Sequence, residues 1–532
     1  MTRAERAVQE RAKAKAIPAR EAAGGPFAIL PAAALAVALL AAYALVNWVF
    51  FRVYGWPATN GADLWFYLAV AKGLQKLAWI DPTFWIVKPF GGLGPEQGFM
   101  ALGMLAIGLH VFSALLVYFY LGRIAPFSKT DRTGRWLAAW LFGLLPQNIA
   151  LATASFTHFS VAQPLIIVAA GELIPWMLEK KSGRPPLGGL AALILAMVIG
   201  PEGWMLAGGL AVWTAARRFH WSKTFESRSI HPGWVAAGAA AISWILFPSI
   251  VDLWTHVVGG ARGIDLAWQR EIRSGDLLPM GWRTFTIFAA FHLAWVALIG
   301  WAAYRKQWLS AVLPAIFLAF TFRMVRAFYA LELAGFLALT LVLARRDFPA
   351  MARHIVLGTL AAWLLFLGLF GRQNCAFGVS LVHLAQKIAK SKAQPGSIAC
   401  APTYGFFFQV WTGRPTTDDL HHPTGPWAQL VTQTPLQANR RMLDQKIRYL
   451  ILTDYDYKPG PGGYWSSGGL DAQVKSLSDE DLRQSLLART LQLTPPPILP
   501  VRIVAMEVDP VSQQRAFCLA PEARFEMPLA LK

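Results

Sequence analysis

Long apolar runs alternate with short polar segments from residue 27 to residue 371. The first run extends from about Phe27 to Phe51, long enough to cross roughly 30 Å of hydrocarbon as a helix. Further runs of helical character follow near residues 99–120, 136–154, 159–178, 187–200, 204–216, 234–254, 284–304, 308–322, 327–344 and 355–371. The pattern predicts a polytopic α-helical membrane protein with about eleven spans.

Basic residues are concentrated in every second polar segment, at 3–20, 123–135, 180–184, 217–228, 305–306 and 345–353. Because Lys and Arg are retained on the cytoplasmic side, this alternation predicts a cytoplasmic N-terminus at residues 1–26 and a membrane domain at residues 27–371. An odd number of spans then delivers residues 372–532 to the outside. We expect the plasma membrane of a bacterium, with the C-terminal domain in the periplasm.

Composition supports a membrane protein and changes how the net charge is interpreted. The 532 residues are 55% hydrophobic and only 15% charged, which is too apolar for an ordinary soluble enzyme of this length. In a soluble protein a formal charge of +19 would suggest nucleic-acid binding. Here the basic residues set orientation in the membrane, so no nucleic-acid partner is predicted.

Residues 372–532 have the polar composition of a soluble domain, and their pattern predicts an α/β fold. Helices are predicted at 379–392 and 429–443, and strands at 397–400, 448–453, 501–508 and 515–519. The Gly-rich stretch 459–469 is interpreted as a connection in preference to a binding loop. If the domain is exported, Cys400 and Cys518 could pair, and two free buried thiols are an equal alternative.

Asp63 is the first candidate for function, in the sequence Gly61-Ala62-Asp63-Leu64-Trp65-Phe66-Tyr67 after the first apolar run. A charge beside a membrane span is costly unless it is paired, hydrated or functional. The alternative is that Asp63 caps a helix, since the apolar spacing from Leu64 to Lys76 predicts an amphipathic helix there.

Other charged side chains are predicted at the same outer face, and each has a structural alternative. Carboxylates and an imidazole can activate an acceptor, while the planar fork of arginine binds phosphate. Glu202 could instead cap the following helix, His158 could be a hydrogen-bonded interfacial histidine, and the arginines could extend to lipid headgroups. The candidates are His158, Glu202, Glu271, Arg323 and Arg326.

Together these positions resemble the catalytic subunit of oligosaccharyltransferase, within the GT-C superfamily of membrane glycosyltransferases. Asp63 with Trp65 and Tyr67 is similar to the family's first-loop acidic and aromatic motif, which supplies a catalytic carboxylate and metal ligand. Arg323-Met324-Val325-Arg326 resembles the entry to a late span, where the family's arginine meets donor phosphate, and Arg326 is the better match. Ala401 to Gly405, which includes Tyr404, occupies the place of the family's Trp-Trp-Asp-Tyr-Gly motif.

The chain departs from the family in two motifs. Ala401-Pro402-Thr403 replaces the Trp-Trp-Asp half that grips the Asn-X-Ser/Thr acceptor, and the region around His158 replaces a second-loop Asp-X-Asp motif. The resemblance implies transfer of a sugar or glycan from a polyprenyl phosphate or pyrophosphate to an acceptor on the outer face.

The charged groups predicted at the outer face and the resemblance together imply the following roles. Asp63 and Glu202 would be catalytic, Arg326 and Arg323 would bind donor phosphate, and a pocket for acceptor or donor would contain Trp65, Tyr67, His158, Glu271 and Tyr404. A divalent cation, Mg²⁺ or Mn²⁺, would bind at Asp63 and His158. Partners would be the bilayer, a polyprenyl-linked donor and an unidentified protein or lipid acceptor. The rival hypothesis is a transporter or flippase of a lipid-linked or anionic substrate with an exported accessory domain.

Overall fold

The computed structural model describes much of the chain. These are residues 29–54, 63–123, 127, 131–152, 156–178, 185–218, 231, 233–246, 249, 282–323, 328–344, 348–370, 378–391, 396–419, 425–454, 477–491, 500–510 and 513–522. The basic segment 1–26 and the Gly-rich stretch 459–469 lie outside these residues.

Helices occupy the positions of the predicted spans. They are α1 (Ile29–Tyr54), α2 (Asp63–Ala71), α3 (Pro82–Val87), α4 (Pro95–Leu121), α5 (Arg132–Gly143), α6 (Pro146–Ala152), α7 (His158–Leu178), α8 (Leu187–Ile199), α9 (Pro201–Arg218), α10 (Gly233–Leu246), α11 (Trp282–Tyr304), α12 (Trp308–Arg323), α13 (Phe328–Leu343) and α14 (Ala350–Phe370).

The described helices differ in length and in apolar character. Of the described helices, four are long and apolar enough to cross a membrane, at Leu30–Val49, Pro95–Leu121, His158–Met177 and Ala350–Leu369. Shorter apolar helices of 10 to 17 residues lie within α8 and α10 to α13. A helix-rich architecture with four candidate membrane spans is therefore observed among the described residues, and the figure of about eleven spans stays a prediction.

The run predicted as one span at 136–154 is divided into α5 and α6. Pro146 begins α6, and a proline cannot donate the backbone hydrogen bond that would continue α5. The buried carbonyl of Phe142 near this break accepts a hydrogen bond of 2.6 Å from the Asn148 side chain. The predicted single span is thus two helices because of Pro146, a local signal that the hydropathy pattern does not include.

A chain of buried polar side chains links four helices of the bundle. Gln163 Oε1 on α7 accepts a hydrogen bond from His110 Nδ1 on α4 at 2.8 Å, and Gln163 Nε2 donates to Asn148 Oδ1 on α6 at 2.7 Å. Glu332 on α13 accepts the backbone N–H of Gln147 at 3.1 Å. All five side chains are buried, so polar pairing contributes to holding α4, α6, α7 and α13 together.

Residues 379–522 contain a four-stranded sheet surrounded by helices. The strands are β1 (Ser397–Ala399), β2 (Ile447–Thr453), β3 (Val501–Val508) and β4 (Arg515–Pro521), in the order β1-β2-β4-β3. β1 is parallel to β2, whereas β4 is antiparallel to both β2 and β3. The helices are α15 (Val379–Lys390), α16 (Gly405–Thr412), α17 (Trp427–Thr432), α18 (Pro435–Asp444), α19 (Asp479–Gln484) and α20 (Leu486–Leu491).

Two expectations for this region are refined. The helix predicted at 429–443 is two helices, α17 and α18, because Thr434 and Gln437 form a capping box and Pro435 begins the second helix. Cys400 and Cys518 are both buried and do not form a disulfide with each other. Burial raises the pKa of the Cys518 thiol to about 12.

Helix α2 joins the membrane helices to the sheet region. It is shorter than expected, ending at Ala71 instead of Lys76, and it is not amphipathic, because every residue from Leu64 to Val70 is buried. One continuous cluster of buried residues runs from α2 through α7 and α8 to α16 and the sheet. The burial of both faces follows from α16, which covers the side that a surface helix would expose to water.

Candidate functional site

Asp63 is the first residue of α2 and is half-buried. A carboxylate at this position is favoured by the positive end of the helix dipole. The position of Asp63 is therefore one at which a carboxylate stabilises a helix. The catalytic role predicted for Asp63 stays a prediction.

His158 and Glu202 are brought together by two helix N-termini. His158 begins α7, Glu202 lies in the first turn of α9, and the His158 Nε2 to Glu202 Oε2 distance is 3.7 Å. Their side chains are only 8% and 6% exposed. An imidazole and a carboxylate this close, in a site with little water, can hold or pass a proton.

Gly200 fits closely against this pair. A Cβ atom at Gly200 would lie 2.5 Å from Glu202 Oε2 and 2.8 Å from His158 Cδ2, both closer than real Cβ contacts. The backbone between α8 and α9 thus fills the space beside the two side chains. Glycine at this position leaves room for the two side chains, while its φ angle of −164° is accessible to any residue.

Helix α2 approaches the His158–Glu202 pair through aromatic side chains. The ring of Tyr67 lies edge-on to Phe156, two residues before His158, with centroids 5.3 Å apart. Asp63 is four residues before Tyr67, so both lie on the same side of α2. The face of α2 that carries Asp63 is accordingly directed toward the chain segment that leads into His158.

The aromatic residues predicted to line a pocket are packed in the protein interior. Trp65 stacks on Phe99 with ring centroids 5.3 Å apart and is fully buried, and Tyr67 and Tyr404 are 2% and 1% exposed. Their packing gives them a structural role. The substrate contacts predicted for them stay predictions.

Of the remaining predicted site residues, Arg323 ends α12. Glu271 and Arg326 lie outside the described residues, so the predicted convergence of Arg326 with Asp63 stays a prediction.

The described residues do not assemble an obvious metal centre. No group of three or more His, Cys, Asp or Glu side chains that could hold a metal ion occurs among them. Mg²⁺ and Ca²⁺ take about six or more oxygen ligands, whereas the His158–Glu202 pair offers one imidazole and one carboxylate. These residues alone do not fit a Mg²⁺ or Mn²⁺ site.

Two buried carboxylates beside the Tyr404–Gly405 turn were missed by the sequence analysis. Asp418 and Asp419 are 1% and 4% exposed, and a Cβ at Gly405 would lie 2.6 Å from that of Asp419. Burial raises the pKa of Asp418 to about 7, although Thr417 and the Trp427 N–H donate hydrogen bonds to it. Two consecutive acidic residues in Thr417-Asp418-Asp419 are the sequence feature that could have indicated this site.

No protein-family model matches this chain, and no curated protein matches it. Among solved structures, it is similar to the oligosaccharyltransferase AglB of Archaeoglobus fulgidus. For the complex of AglB with an inhibitory peptide and a dolichol-phosphate, sequence identity is 12%, the TM-score is 0.52, and 88% of this chain and 79% of that chain are covered.

Two other structures of the archaeal enzyme give the same result. The apo form has 12% identity and a TM-score of 0.50, covering 90% of this chain and 80% of that chain. A complex with Zn and sulfate has 12% identity and a TM-score of 0.51, with 88% and 78% covered. The chain therefore has an oligosaccharyltransferase-like fold, and the resemblance inferred from its sequence is confirmed at the level of the fold.

Proposed function

We propose that this chain, which has the fold of an oligosaccharyltransferase, is a membrane glycosyltransferase that moves a sugar or glycan from a polyprenyl phosphate or pyrophosphate to an acceptor on the outer face. The observation that carries the proposal is the buried His158–Glu202 pair, 3.7 Å apart, next to the aromatic contact that leads to the helix of Asp63. The archaeal neighbour was solved with a dolichol-phosphate and an inhibitory peptide, which supports the same classes of donor and acceptor here.

The reaction needs a base at the acceptor and a positive group at the leaving phosphate. An acceptor O–H or N–H attacks the anomeric carbon, a new C–O or C–N bond forms, and the bond from that carbon to the phosphate oxygen breaks. Glu202 or Asp63 accepts the acceptor's proton, and His158 orients Glu202. The polyprenyl phosphate leaves as an anion.

Arg326 is assigned to the leaving phosphate, with Arg323 as a second contact. A guanidinium remains charged at all relevant pH values and donates two parallel hydrogen bonds to phosphate. This contact exists in the bound substrate and strengthens as negative charge develops on the phosphate. Mg²⁺ or Mn²⁺ at Asp63 and His158 is not part of this proposal, because the described residues there offer too few ligands for such an ion.

The rival transporter function is less well supported. A transporter is expected to place its polar groups and broken helices at a substrate site near the membrane midplane. One helix break, at Pro146, does lie in the bundle, but its polar groups bond to one another across α4, α6 and α7. The enzyme is favoured because the fold is that of a glycosyltransferase.

A transfer assay on the purified full-length chain tests the proposal. The protein is incubated with synthetic polyprenyl-phosphate and polyprenyl-pyrophosphate monosaccharides and with peptide and lipid acceptors, and products are identified by mass spectrometry. We expect transfer by the parent and its loss in Glu202→Gln, which keeps the shape of the side chain and removes its charge.

The matched control is Glu480→Gln, because Glu480 is an exposed carboxylate in α19. This variant should transfer at the parent rate. Movement of the intact donor across a vesicle membrane, with no new glycosidic bond, would overturn the enzyme proposal in favour of the transporter.

A further inference from the structure

Helix α3 and the residues before it expose a compact apolar surface. Trp79 is 72% exposed, Ile80 is 51% exposed and Trp85 is 57% exposed. The ammonium of Lys88 lies 5.2 Å from the ring centroid of Trp85 and 5.4 Å from that of Phe84. We name Trp79, Ile80, Trp85 and Lys88 the α3 patch.

The α3 patch is held in a fixed shape. The Trp85 indole N–H donates to the Trp79 carbonyl at 2.8 Å. Asp81 is fully buried and caps α3 by accepting the Thr83 N–H at 2.9 Å. Large apolar side chains held at fixed positions form a surface that can bind a partner without further ordering.

The loop that carries the α3 patch is closed at its base. Lys72 at the end of α2 donates to the carbonyl of Leu93, just before α4. Gly91 lies so close to the end of α2 that a Cβ there would be 2.2 Å from the Ala71 carbonyl oxygen. The two ends of the loop therefore meet, and the patch is positioned by α2 and α4 together.

The helix next to this loop indicates what the α3 patch contacts. Helix α4 begins at Pro95 and is one of the four described helices able to cross a membrane. Met100 and Met104 on its first turns are 52% and 63% exposed, as expected for side chains that face lipid. Helix α3 itself packs against α7 and α8, so the α3 patch lies beside the helical bundle, near the start of α4.

The composition of the α3 patch matches one region of a bilayer. Tryptophan is enriched at the boundary between hydrocarbon and headgroups, where its ring is buried and its N–H is satisfied. Lysine places its methylene groups along apolar surface and its ammonium among lipid phosphates. We propose that the α3 patch inserts into the headgroup boundary of the bilayer, at the end of the bundle where α4 begins.

This insertion has a consequence for the candidate site. Because α3 packs against the helices that carry or adjoin His158, anchoring α3 in the headgroup layer holds the His158–Glu202 pair near the membrane surface. The inference about lipid contact does not depend on the proposed function, since it concerns the depth of a surface and no chemical step.

Spin-label accessibility measures that depth in the full-length protein. The chain has 23 tryptophans, so fluorescence quenching would not isolate two of them. Nitroxide labels are placed instead at Ile80→Cys and Trp85→Cys in a Cys375→Ser background, since Cys400 and Cys518 are buried. The protein is reconstituted in phosphatidylcholine and phosphatidylglycerol nanodiscs.

Two further labels calibrate the measurement. Met104→Cys lies on the lipid-facing surface of α4, and Glu480→Cys lies on exposed α19. We expect labels at 80 and 85 to be relaxed more by oxygen, which dissolves in lipid, than by the water-soluble nickel chelate, with values between those at 104 and 480.

Two results would overturn the proposal. Labels at 80 and 85 that respond to the nickel chelate as strongly as the label at 480 would place the α3 patch in water. Labels shielded from both reagents, with shielding that increases with the number of protein copies per disc, would show instead that the patch binds a second protein.

Discussion

The indole of Trp65 lies edge-on to the ring of Phe407 with centroids 4.9 Å apart, joining α2 to α16. A second contact is polar, since the Gln75 amide donates to Gln409 Oε1 at 3.0 Å. The helix of Asp63 is thus held by the C-terminal region as well as by the membrane helices. Any displacement of α16 is expected to displace Asp63.

Trp65→Ala should destabilise the protein strongly. The side chain is fully buried and contacts Phe99, Phe407 and Trp411, so its removal leaves a cavity that costs about 3–5 kcal/mol. Thermal unfolding in detergent measures the loss. Trp85→Ala is the control, because Trp85 is exposed and its removal creates no cavity. An unchanged unfolding temperature for Trp65→Ala would contradict the packing described here.

Asp131→Asn should destabilise the protein by weakening the contact between the starts of α5 and α14. Asp131 accepts hydrogen bonds from the Gly134 N–H, from His354 Nε2 at 2.7 Å and from the buried guanidinium of Arg353. Removing one partner of a buried ion pair leaves the other charge uncompensated and costs about 3–5 kcal/mol. Chemical denaturation measures the change.

The exposed pair Arg123–Glu172 is the control for Asp131→Asn, and Glu172→Gln should cost about 0–1 kcal/mol. The pH dependence is a second check. Burial alone would raise the pKa of Asp131, but its hydrogen bonds to His354, Gly134 and Arg353 hold that pKa below its ordinary value. This stabilisation is present above the ordinary pKa and should be lost as pH falls through the lowered one.

Asp418→Asn should stabilise the protein in a pH-dependent way. Burial raises the pKa of Asp418 from its ordinary 3.8 to about 7, so the folded state binds a proton that the unfolded state releases. The free energy of unfolding of the parent therefore decreases as pH rises from about 4 to about 7. The amide resembles the protonated acid, so the variant should gain on the order of 2–4 kcal/mol over the parent at pH 8.

Unfolding of Asp418→Asn and the parent at pH 5 and pH 8 tests this expectation. The advantage of the variant should shrink at pH 5, where the parent carboxyl is mostly protonated. Asp479→Asn, at an exposed carboxylate, should show no such difference between the two pH values. An equal effect of Asp418→Asn at both values would mean that Asp418 is ionised throughout.

The sequence predicted the positions of the long helices, but not which elements pack against one another. Apolar runs identify α1, α4, α7 and α14 because hydrocarbon selects composition along a contiguous stretch. The burial of α2 depends on Phe406 and Phe407, which are distant in sequence, so no local pattern could reveal it. The approach of His158 to Glu202 likewise arises from the packing of α7 against α9.

The polar chain inside the bundle could have been predicted in part. His110, Gln163 and Glu332 each interrupt an apolar run, and such residues usually face other polar groups in a membrane protein. Which of them pair is set by the rotation of each helix, and that rotation is fixed by packing across the whole bundle. Sequence therefore indicates their presence and the structure supplies their pairing.

Gly200→Ala should weaken transfer by disturbing the His158–Glu202 pair. The added Cβ would lie 2.5 Å from Glu202 Oε2, and the two side chains must move to accommodate it. Displacing catalytic groups by about 1 Å can lower the rate on the order of 100-fold. Gly188→Ala is the control, since a Cβ there meets no atom within 4 Å. Equal transfer rates in the two variants would show that the His158–Glu202 pair does not take part in catalysis.

Asp63→Asn decides between the two roles of the first-turn carboxylate of α2. If Asp63 is a base or metal ligand, the amide keeps its shape and loses its charge, and the transfer rate should fall on the order of 100-fold or more. Binding of the polyprenyl donor should be retained better than turnover. Replacing Arg326 should weaken donor binding as well, because its contact with phosphate already exists in the bound substrate.

The matched control for Asp63→Asn is Asp479→Asn, which also removes a carboxylate from the first turn of a helix, in exposed α19. Both substitutions weaken a favourable interaction with a helix dipole, worth about 0.3–1 kcal/mol. Only Asp63→Asn should abolish transfer. If both variants transfer sugar at the parent rate, Asp63 merely stabilises α2, and Glu202 beside His158 becomes the carboxylate on which the chemistry depends.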